Sequence, residues 1–284
     1  MKRFENLHPV VLLLYYVFTI GFSVLIMNPV CLSISFVCAV ISAVSLSGKK
    51  AAASLKYMLP MVAAAVIINP MFNHEGATIL TYLAGGNPLT LESIIYGLTA
   101  GTMLAAVLGH FSCFNKVMTS DKLVYLLGRT APALSLVLSM ALRMVPMLTE
   151  QTKRVSAAQR CMGRDTKNGG VTERIRNGVT IISIIITWSL ENAVNTADSM
   201  RSRGYGLKGR TAFSLFRFDI HDAVMLAAVL ILGITVLCGC VNDMLYWRCF
   251  PTIKWGDESR AAVMYIAYAL LMLLCPLYEG RRKR

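Results

Sequence analysis

The chain has 284 residues, of which 56% are hydrophobic and 15% are charged, and its mean hydropathy is +0.58. Lys and Arg outnumber Asp and Glu by 28 to 15, which gives a formal net charge of +13. These values exclude an ordinary soluble domain and predict an integral membrane protein.

Uncharged apolar runs recur along the chain, and a helix of about 20 residues crosses the roughly 30 Å hydrocarbon core. We predict six transmembrane helices, at Val10–Met27, Pro29–Leu46, Tyr57–Phe72, Ser93–Phe111, Ala223–Val241 and Ala261–Tyr278. Lys2 and Arg3 precede the first run, as they would in a signal peptide, but no small-x-small cleavage site follows it. We therefore expect the first run to be retained as a span.

Two further apolar runs are shorter, at Ala131–Leu142 and Asn177–Leu190. A helix of about 12 to 14 residues is only about 18 to 21 Å long, which is less than the thickness of the hydrocarbon core. We expect these runs to lie in or under the membrane interface rather than to cross it.

The distribution of basic residues agrees with six spans. With both termini in the cytoplasm, every Lys and Arg falls on the inner side except Arg248, Lys254 and Arg260, as the positive-inside rule requires. The predicted fold is an all-α integral membrane protein with helices 1–4 in residues 1–111, a cytoplasmic segment of membrane-apposed helices in 112–220, and helices 5–6 with a basic tail in 221–284. The net charge follows from this topology and from anionic lipid, so we predict a lipid partner and no nucleic acid.

The interiors of the six predicted spans contain no Asp, Glu, Lys, Arg or His. His110 is placed at a span end, and Asp219, His221 and Asp222 precede the fifth span. Carriers driven by ion gradients usually keep such groups within the membrane. The energy for any transport is therefore expected to come from another subunit.

No catalytic, metal or cofactor site is predicted. The four histidines are scattered without the spacing of metal ligands, and no GxxxxGK[ST] phosphate loop is present. The eight cysteines are expected to be small buried hydrophobes, although a disulfide of Cys249 with Cys238 or Cys240 stays open.

Two stretches of the middle segment end alike. Residues 197–206 carry Ala-Asp-Ser-Met-Arg-Ser-Arg-Gly-Tyr-Gly, in which arginines precede a glycine that suits a left-handed helix end. Residues 155–164 also lead through small and polar residues to Arg160 and Gly163, and aligning Gly163 with Gly204 places Arg160 over Arg201. Two basic, glycine-terminated helix tips indicate docking on a two-fold or pseudo-two-fold partner.

These residues resemble the transmembrane T component of energy-coupling factor (ECF) transporters, the EcfT/CbiQ family. The family's second motif, A-x-x-M-x-x-R-G-[YF], is matched by Ala197, Met200, Arg203, Gly204 and Tyr205. Its first motif resembles A-Q-R-x-x-G, which is matched by Ala158, Gln159, Arg160 and Gly163. His8-Pro9, Asn28-Pro29, Asn69-Pro70 and the Leu-Arg-Met-Val-Pro of 142–146 extend the resemblance over nearly the whole chain.

The resemblance implies a non-catalytic coupling subunit. Two ATP-binding-cassette ATPases would dock at the ends of two long coupling helices, and their motion would be passed to a membrane S component that binds a vitamin or a transition-metal ion. The implied docking residues are Ala158, Gln159, Arg160, Cys161, Met162 and Gly163 at the first tip, and Ala197, Met200, Arg201, Ser202, Arg203 and Gly204 at the second. The first tip departs from the family, because Met162 stands where the Ala-Arg-Gly triplet has arginine.

Two other functions stay open at this point. A self-sufficient carrier or channel in the cell membrane would transport without partners, although the spans lack charge. An intramembrane enzyme acting on lipid would need a polar cluster, for which Arg143, Glu150 and Asp165 are the candidates, but helix-surface pairing explains these residues more simply. The cargo is not readable from this chain, because in the family the S component recognises it.

Overall fold

The computed structural model describes residues 4–82, 88–164, 170–207, 216–250, 254–255 and 258–280. Nine α-helices account for most of these residues, and two small antiparallel hairpins accompany them. The helices are α1 Pro9–Leu25, α2 Pro29–Ser47, α3 Lys49–Phe72, α4 Leu91–Val117, α5 Ser120–Thr130, α6 Pro132–Cys161, α7 Val171–Ser202, α8 Ile220–Val241 and α9 Glu258–Gly280. The hairpins pair β1 Ile79–Tyr82 with β2 Pro88–Thr90 and β3 Trp247–Arg248 with β4 Lys254–Trp255.

The chain forms two compact units. The bundle unit contains residues 1–119 and 216–284, with α1–α4, α8 and α9, and the α5–α7 unit contains residues 120–215. The first boundary of the predicted three-part division, after residue 111, falls inside α4, which continues to Val117.

In the bundle unit, α4 packs against α1, α2 and α3, while α9 packs against α2 and α8. The approach of α3 to α4 is close because α4 carries two glycines on that face. A Cβ at Gly97 would lie 2.9 Å from the carbonyl oxygen of Ala65, and one at Gly101 would lie 3.0 Å from the Ala65 Cβ. Small residues of this kind let membrane helices pack backbone to backbone.

Side-chain caps fix the starts of several helices. The Asn28 side chain accepts a hydrogen bond from the Val30 N–H at 3.0 Å, with Pro29 at the first helical position of α2. Asp219 and Asp222 form a capping box at the start of α8. The buried Asp222 carboxylate also accepts the His8 N–H at 3.0 Å, so it ties α8 to the start of α1.

One expectation about the spans is wrong: His110 is not an end residue. It lies within α4, its side chain is 1% exposed, and its Nε2 is 3.2 Å from the Ser35 hydroxyl. The Ser35 hydroxyl lies 2.7 Å from that of Ser23, so a buried polar chain links α1, α2 and α4. Hydrogen bonding offsets the cost of burying these groups, which is why polar residues persist there.

Six described helices are long and apolar enough to cross a membrane, which confirms the predicted fold class, but their membership differs from the prediction. They are α2, α4, α6, α7, α8 and α9, whereas α1 and the apolar part of α3, Met58–Phe72, are shorter. The two runs expected to be short are parts of α6, with 30 residues, and α7, with 32. Arg143 and Glu191 end the two apolar runs but not the helices, because Arg and Glu are good helix formers.

Candidate functional site

The end of α6 is a Schellman turn built on Gly163, whose φ is +77°. The Arg164 N–H donates to the Gln159 carbonyl at 2.9 Å, and the Gly163 N–H donates to the Arg160 carbonyl at 3.0 Å. These two bonds satisfy carbonyls that the helix end would leave without partners, and the left-handed glycine makes them possible.

The end of α7 repeats this arrangement on Gly204, whose φ is +81°. The Tyr205 N–H donates to the Met200 carbonyl at 3.0 Å, and the Gly204 N–H donates to the Arg201 carbonyl at 2.9 Å. Each of the two hydrogen bonds at the α6 end therefore has a counterpart at the α7 end. Gly163 and Gly204, which the sequence alignment pairs, occupy equivalent positions in the two turns.

The two tips present different side chains from the same backbone. At the α6 tip, Ala158, Arg160, Cys161, Met162 and Gly163 are exposed, whereas Gln159 is buried. At the α7 tip, Ala197, Arg201, Ser202 and Arg203 are exposed, and Met200 and Gly204 are half-buried. The last residue before the glycine is Met162 at the first tip, 59% exposed, and Arg203 at the second.

Helices α6 and α7 run antiparallel where they meet. The Asn192 side-chain nitrogen lies 3.7 Å from the Met144 sulfur. Residues before Met144 on α6 line the same groove as residues after Asn192 on α7, so the two helices run in opposite directions. The two tips consequently lie at opposite ends of the helix pair.

A groove of about 480 Å³ lies between α6 and α7 on the α7-tip side of this contact. Leu136, Met140 and Met200 form its apolar wall, and four residues with hydroxyl or amide side chains line the rest. Arg143 from α6 and Arg203 from α7 complete the lining, so the groove is cationic. Arg203 belongs both to this groove and to the tip.

The sequence matches a known protein family. The family model described as "CbiQ: Cobalt transport protein" matches residues 2–215. The chain belongs to the CbiQ family. This confirms the predicted family, and the six long apolar helices agree with a multi-pass membrane protein.

Relatives named "Energy-coupling factor transporter transmembrane protein EcfT" match part of the chain. The Lactobacillus helveticus protein is 35% identical over 106 residues, which are 37% of this chain and 38% of the relative. The Streptococcus thermophilus protein is 32% identical over 105 residues, 37% of this chain and 40% of the relative. The Listeria innocua protein is 29% identical over 155 residues, 54% of each chain. The CbiQ-family chain thus spans about two-fifths to one-half of these relatives' lengths.

Two of the three polar residues considered for a lipid enzyme are described, and each has a different setting. Glu150 pairs with Arg154 on the same helix at 3.4 Å, whereas Arg143 lines the α6–α7 groove. Asp165 lies outside the described residues. Among the described residues, no group of three or more His, Cys, Asp or Glu side chains is placed to hold a metal ion.

In the sequence, Arg143 stands out only as a lipid-enzyme candidate and as part of the Leu-Arg-Met-Val-Pro motif, and Asn195 and Ser199 do not stand out at all. Asn195, Ser199 and Arg203 follow one another at intervals of four residues, which places them on one face of α7. This spacing is the sequence signal for one wall of the groove. The sequence does not show which helix forms the opposite wall.

Proposed function

We propose that this CbiQ-family chain is the non-catalytic coupling subunit of an ECF-type importer. Two ATP-binding-cassette ATPases dock at the α6 and α7 tips, and ATP-driven motion passes through α6 and α7 to a membrane S component that carries a vitamin or a transition-metal ion. The observation that carries the proposal is the pair of Schellman-capped tips, which share one backbone geometry and lie at opposite ends of antiparallel helices.

The spacing of the tips suits two partner subunits. At about 1.5 Å per residue, the α6 tip lies roughly 28 Å from the Met144–Asn192 contact and the α7 tip roughly 18 Å from it. The tips are therefore up to roughly 45 Å apart. A globular subunit of about 250 residues has a diameter of roughly 45 Å by the scaling of domain size, so each tip has room for its own ATPase.

The packing of α6 on α7 favours a position along the cytoplasmic face. The contact lies roughly 11 Å past the centre of the α6 apolar run and roughly 13 Å past the centre of the α7 run, in each case toward the helix C-terminus. Because the helices are antiparallel, the centres are offset by roughly 24 Å along the pair. Two upright spans with this offset cannot both be centred in a core of roughly 30 Å.

The α5–α7 unit also needs a cover for its apolar surface. Val137 is 62% exposed on α6, and Ile182 and Leu190 are 57% and 65% exposed on α7. Exposed apolar area on this scale marks a lipid or protein interface. We propose that lipid and the S component cover it. In this arrangement both termini are cytoplasmic, and the α5–α7 unit, residues 120–215, is the coupling segment that follows α4 and precedes α8 in the sequence.

Copurification tests the proposal. The chain, produced with its candidate ATPases and an S component, should elute with two ATPase copies. Arg203→Glu should remove at least one copy. The partner is expected to carry a carboxylate opposite Arg203, and a glutamate at this position would repel it. Arg154→Glu, on the exposed surface of α6, is the control and should retain both. Full complex with Arg203→Glu, or no ATPase with the unaltered chain, would contradict the proposal.

A further inference from the structure

We propose that the α6–α7 groove is a carboxylate-binding cleft for the ATPase that docks at the α7 tip, and that Arg143 binds this partner together with Arg203. This inference rests on the proposed function and deepens it. It adds a docking residue on α6, remote in sequence from both tip motifs, and it assigns the chemistry of the partner surface, namely an acidic side chain that both arginines contact.

The first observation behind this proposal is the positive charge of the residues that line the groove. Arg143 and Arg203 line one groove from two helices, and no carboxylate is among its described lining residues. Within the described part of the chain neither guanidinium has an ion-pair partner. Arg143 lines the end of the groove next to the Met144–Asn192 contact and Arg203 lines the end next to the α7 tip, so an acidic side chain held between them is attracted by both.

The shape and the other lining groups favour a carboxylate on a side chain. A guanidinium presents a planar fork that matches a carboxylate with two parallel hydrogen bonds. Groups such as the Ser139 hydroxyl and the Asn195 amide supply further hydrogen-bonding partners beside it. Met140 and Met200 offer an apolar wall for the methylene stem of a Glu or Asp.

The groove is continuous with the α7 tip, which favours the ATPase over a lipid headgroup as its occupant. Met200 and Arg203 line the groove, and they are also the residues whose backbone forms the Schellman turn with Gly204. A partner that covers the tip therefore also reaches the groove. Through Arg143 it would hold α6 as well as α7, close to their contact at Met144 and Asn192.

This arrangement has a mechanical consequence. An ATPase bound at the α6 tip touches α6 alone near Gly163, whereas an ATPase bound at the α7 tip grips both helices. The second ATPase would thus fix the α6–α7 contact while the first moves the free end of α6. The two ATPases would be coupled to the helix pair unequally.

A double-mutant cycle tests the inference on the full chain in detergent. The dissociation constant of the ATPase pair is measured for the unaltered chain, Arg143→Ala, Arg203→Ala and the double variant. Each single change should raise it about ten- to a hundredfold, and the double change should raise it by less than the product of the two, because both arginines share one anionic partner. Arg154→Ala is the matched control and should leave it within about twofold. Circular dichroism and the unfolding temperature check that each variant is folded.

The outcomes separate this inference from the proposed function. If the unaltered chain binds no ATPase, the proposed function fails. If Arg203→Ala weakens binding and Arg143→Ala does not, the proposed function stands and this inference is overturned. Additive effects of the two changes also overturn it. So does an Arg143→Ala variant that retains its ATPases but loses acidic phospholipid that copurifies with the unaltered chain, because the groove would then be a lipid site.

Discussion

Met162 and Arg203 occupy the same position in two matching helix ends. Each is the last residue before a left-handed glycine, with φ, ψ of −87°, 9° for Met162 and −85°, 9° for Arg203. The backbone therefore has the same shape at both tips, while the side chain is apolar at one tip and cationic at the other. The difference between the two tips lies in side-chain chemistry and not in the backbone.

The first prediction concerns this difference. Met162→Arg should lower the dissociation constant for the ATPase at the α6 tip about three- to tenfold, because arginine can form charge-assisted hydrogen bonds that a thioether cannot. Arg203→Met should weaken the α7 tip by a comparable or larger factor. Titration of the purified chain with ATPase subunits measures both. Weaker binding of Met162→Arg would show instead that the first tip docks in an apolar groove.

The second prediction concerns the turn itself. Gly204→Ala should destabilise the α7 tip by about 1–2 kcal/mol, because a side chain at φ +81° is strained and its Cβ would lie 3.1 Å from Leu207. Gly178→Ala, in the interior of α7 with nothing within 4 Å of its Cβ, is the control and should stabilise the helix by about 0.5–1 kcal/mol. Hydrogen exchange of the Tyr205 amide measures the tip directly. Equal protection of the Tyr205 amide in the Gly204→Ala and Gly178→Ala variants would contradict a left-handed turn at Gly204.

The third prediction concerns the packing of α3 on α4. Gly97→Ala should lower the unfolding temperature in detergent, at a cost of about 1–3 kcal/mol, because its Cβ would meet the Ala65 backbone carbonyl at 2.9 Å. Gly21→Ala, in α1 with open space around its Cβ, should be neutral or stabilising. An unchanged unfolding temperature for Gly97→Ala would contradict the close packing of α3 on α4.

The fourth prediction uses the cysteines as reporters. Cys161 is exposed at the α6 tip, whereas Cys249 is buried, and burial raises the pKa of the Cys249 thiol. At pH 7.5 a maleimide should modify Cys161 and leave Cys249 protonated and unreacted. Bound ATPases should slow the modification of Cys161 at least tenfold, as read by mass spectrometry of the peptides. Equal rates with and without ATPases would place the first docking site elsewhere.

Local features of the fold follow directly from the sequence. The start of α2 is readable from Asn28-Pro29, since Asn caps a helix and Pro suits its first position, and the cap is present. Gly163 and Gly204 are readable as helix ends for an equally local reason. In each case the side chain that determines the structure lies within a few residues of the backbone it acts on.

Features that depend on pairing between distant segments were not readable in this way. The lengths of α6 and α7 were missed because an apolar run measures membrane affinity, and a helix continues past it wherever the next residues favour helix, as at Arg143 and Glu191. The groove was missed because Arg143 and Arg203 are brought together by the packing of two long helices. The buried position of His110 likewise depends on the hydroxyl of Ser35, which another helix supplies.

Site-specific crosslinking tests the central claim most directly. A photoreactive phenylalanine analogue is placed at Met162 and Ser202, one in each tip, in the complex purified with its ATPases and S component. The account predicts that each position captures one ATPase chain and that the doubly labelled protein carries two, with saturating crosslinks at both tips in the same molecule. Capture of only lipid or the S component at both positions, or of a single ATPase shared by the two tips, would contradict it.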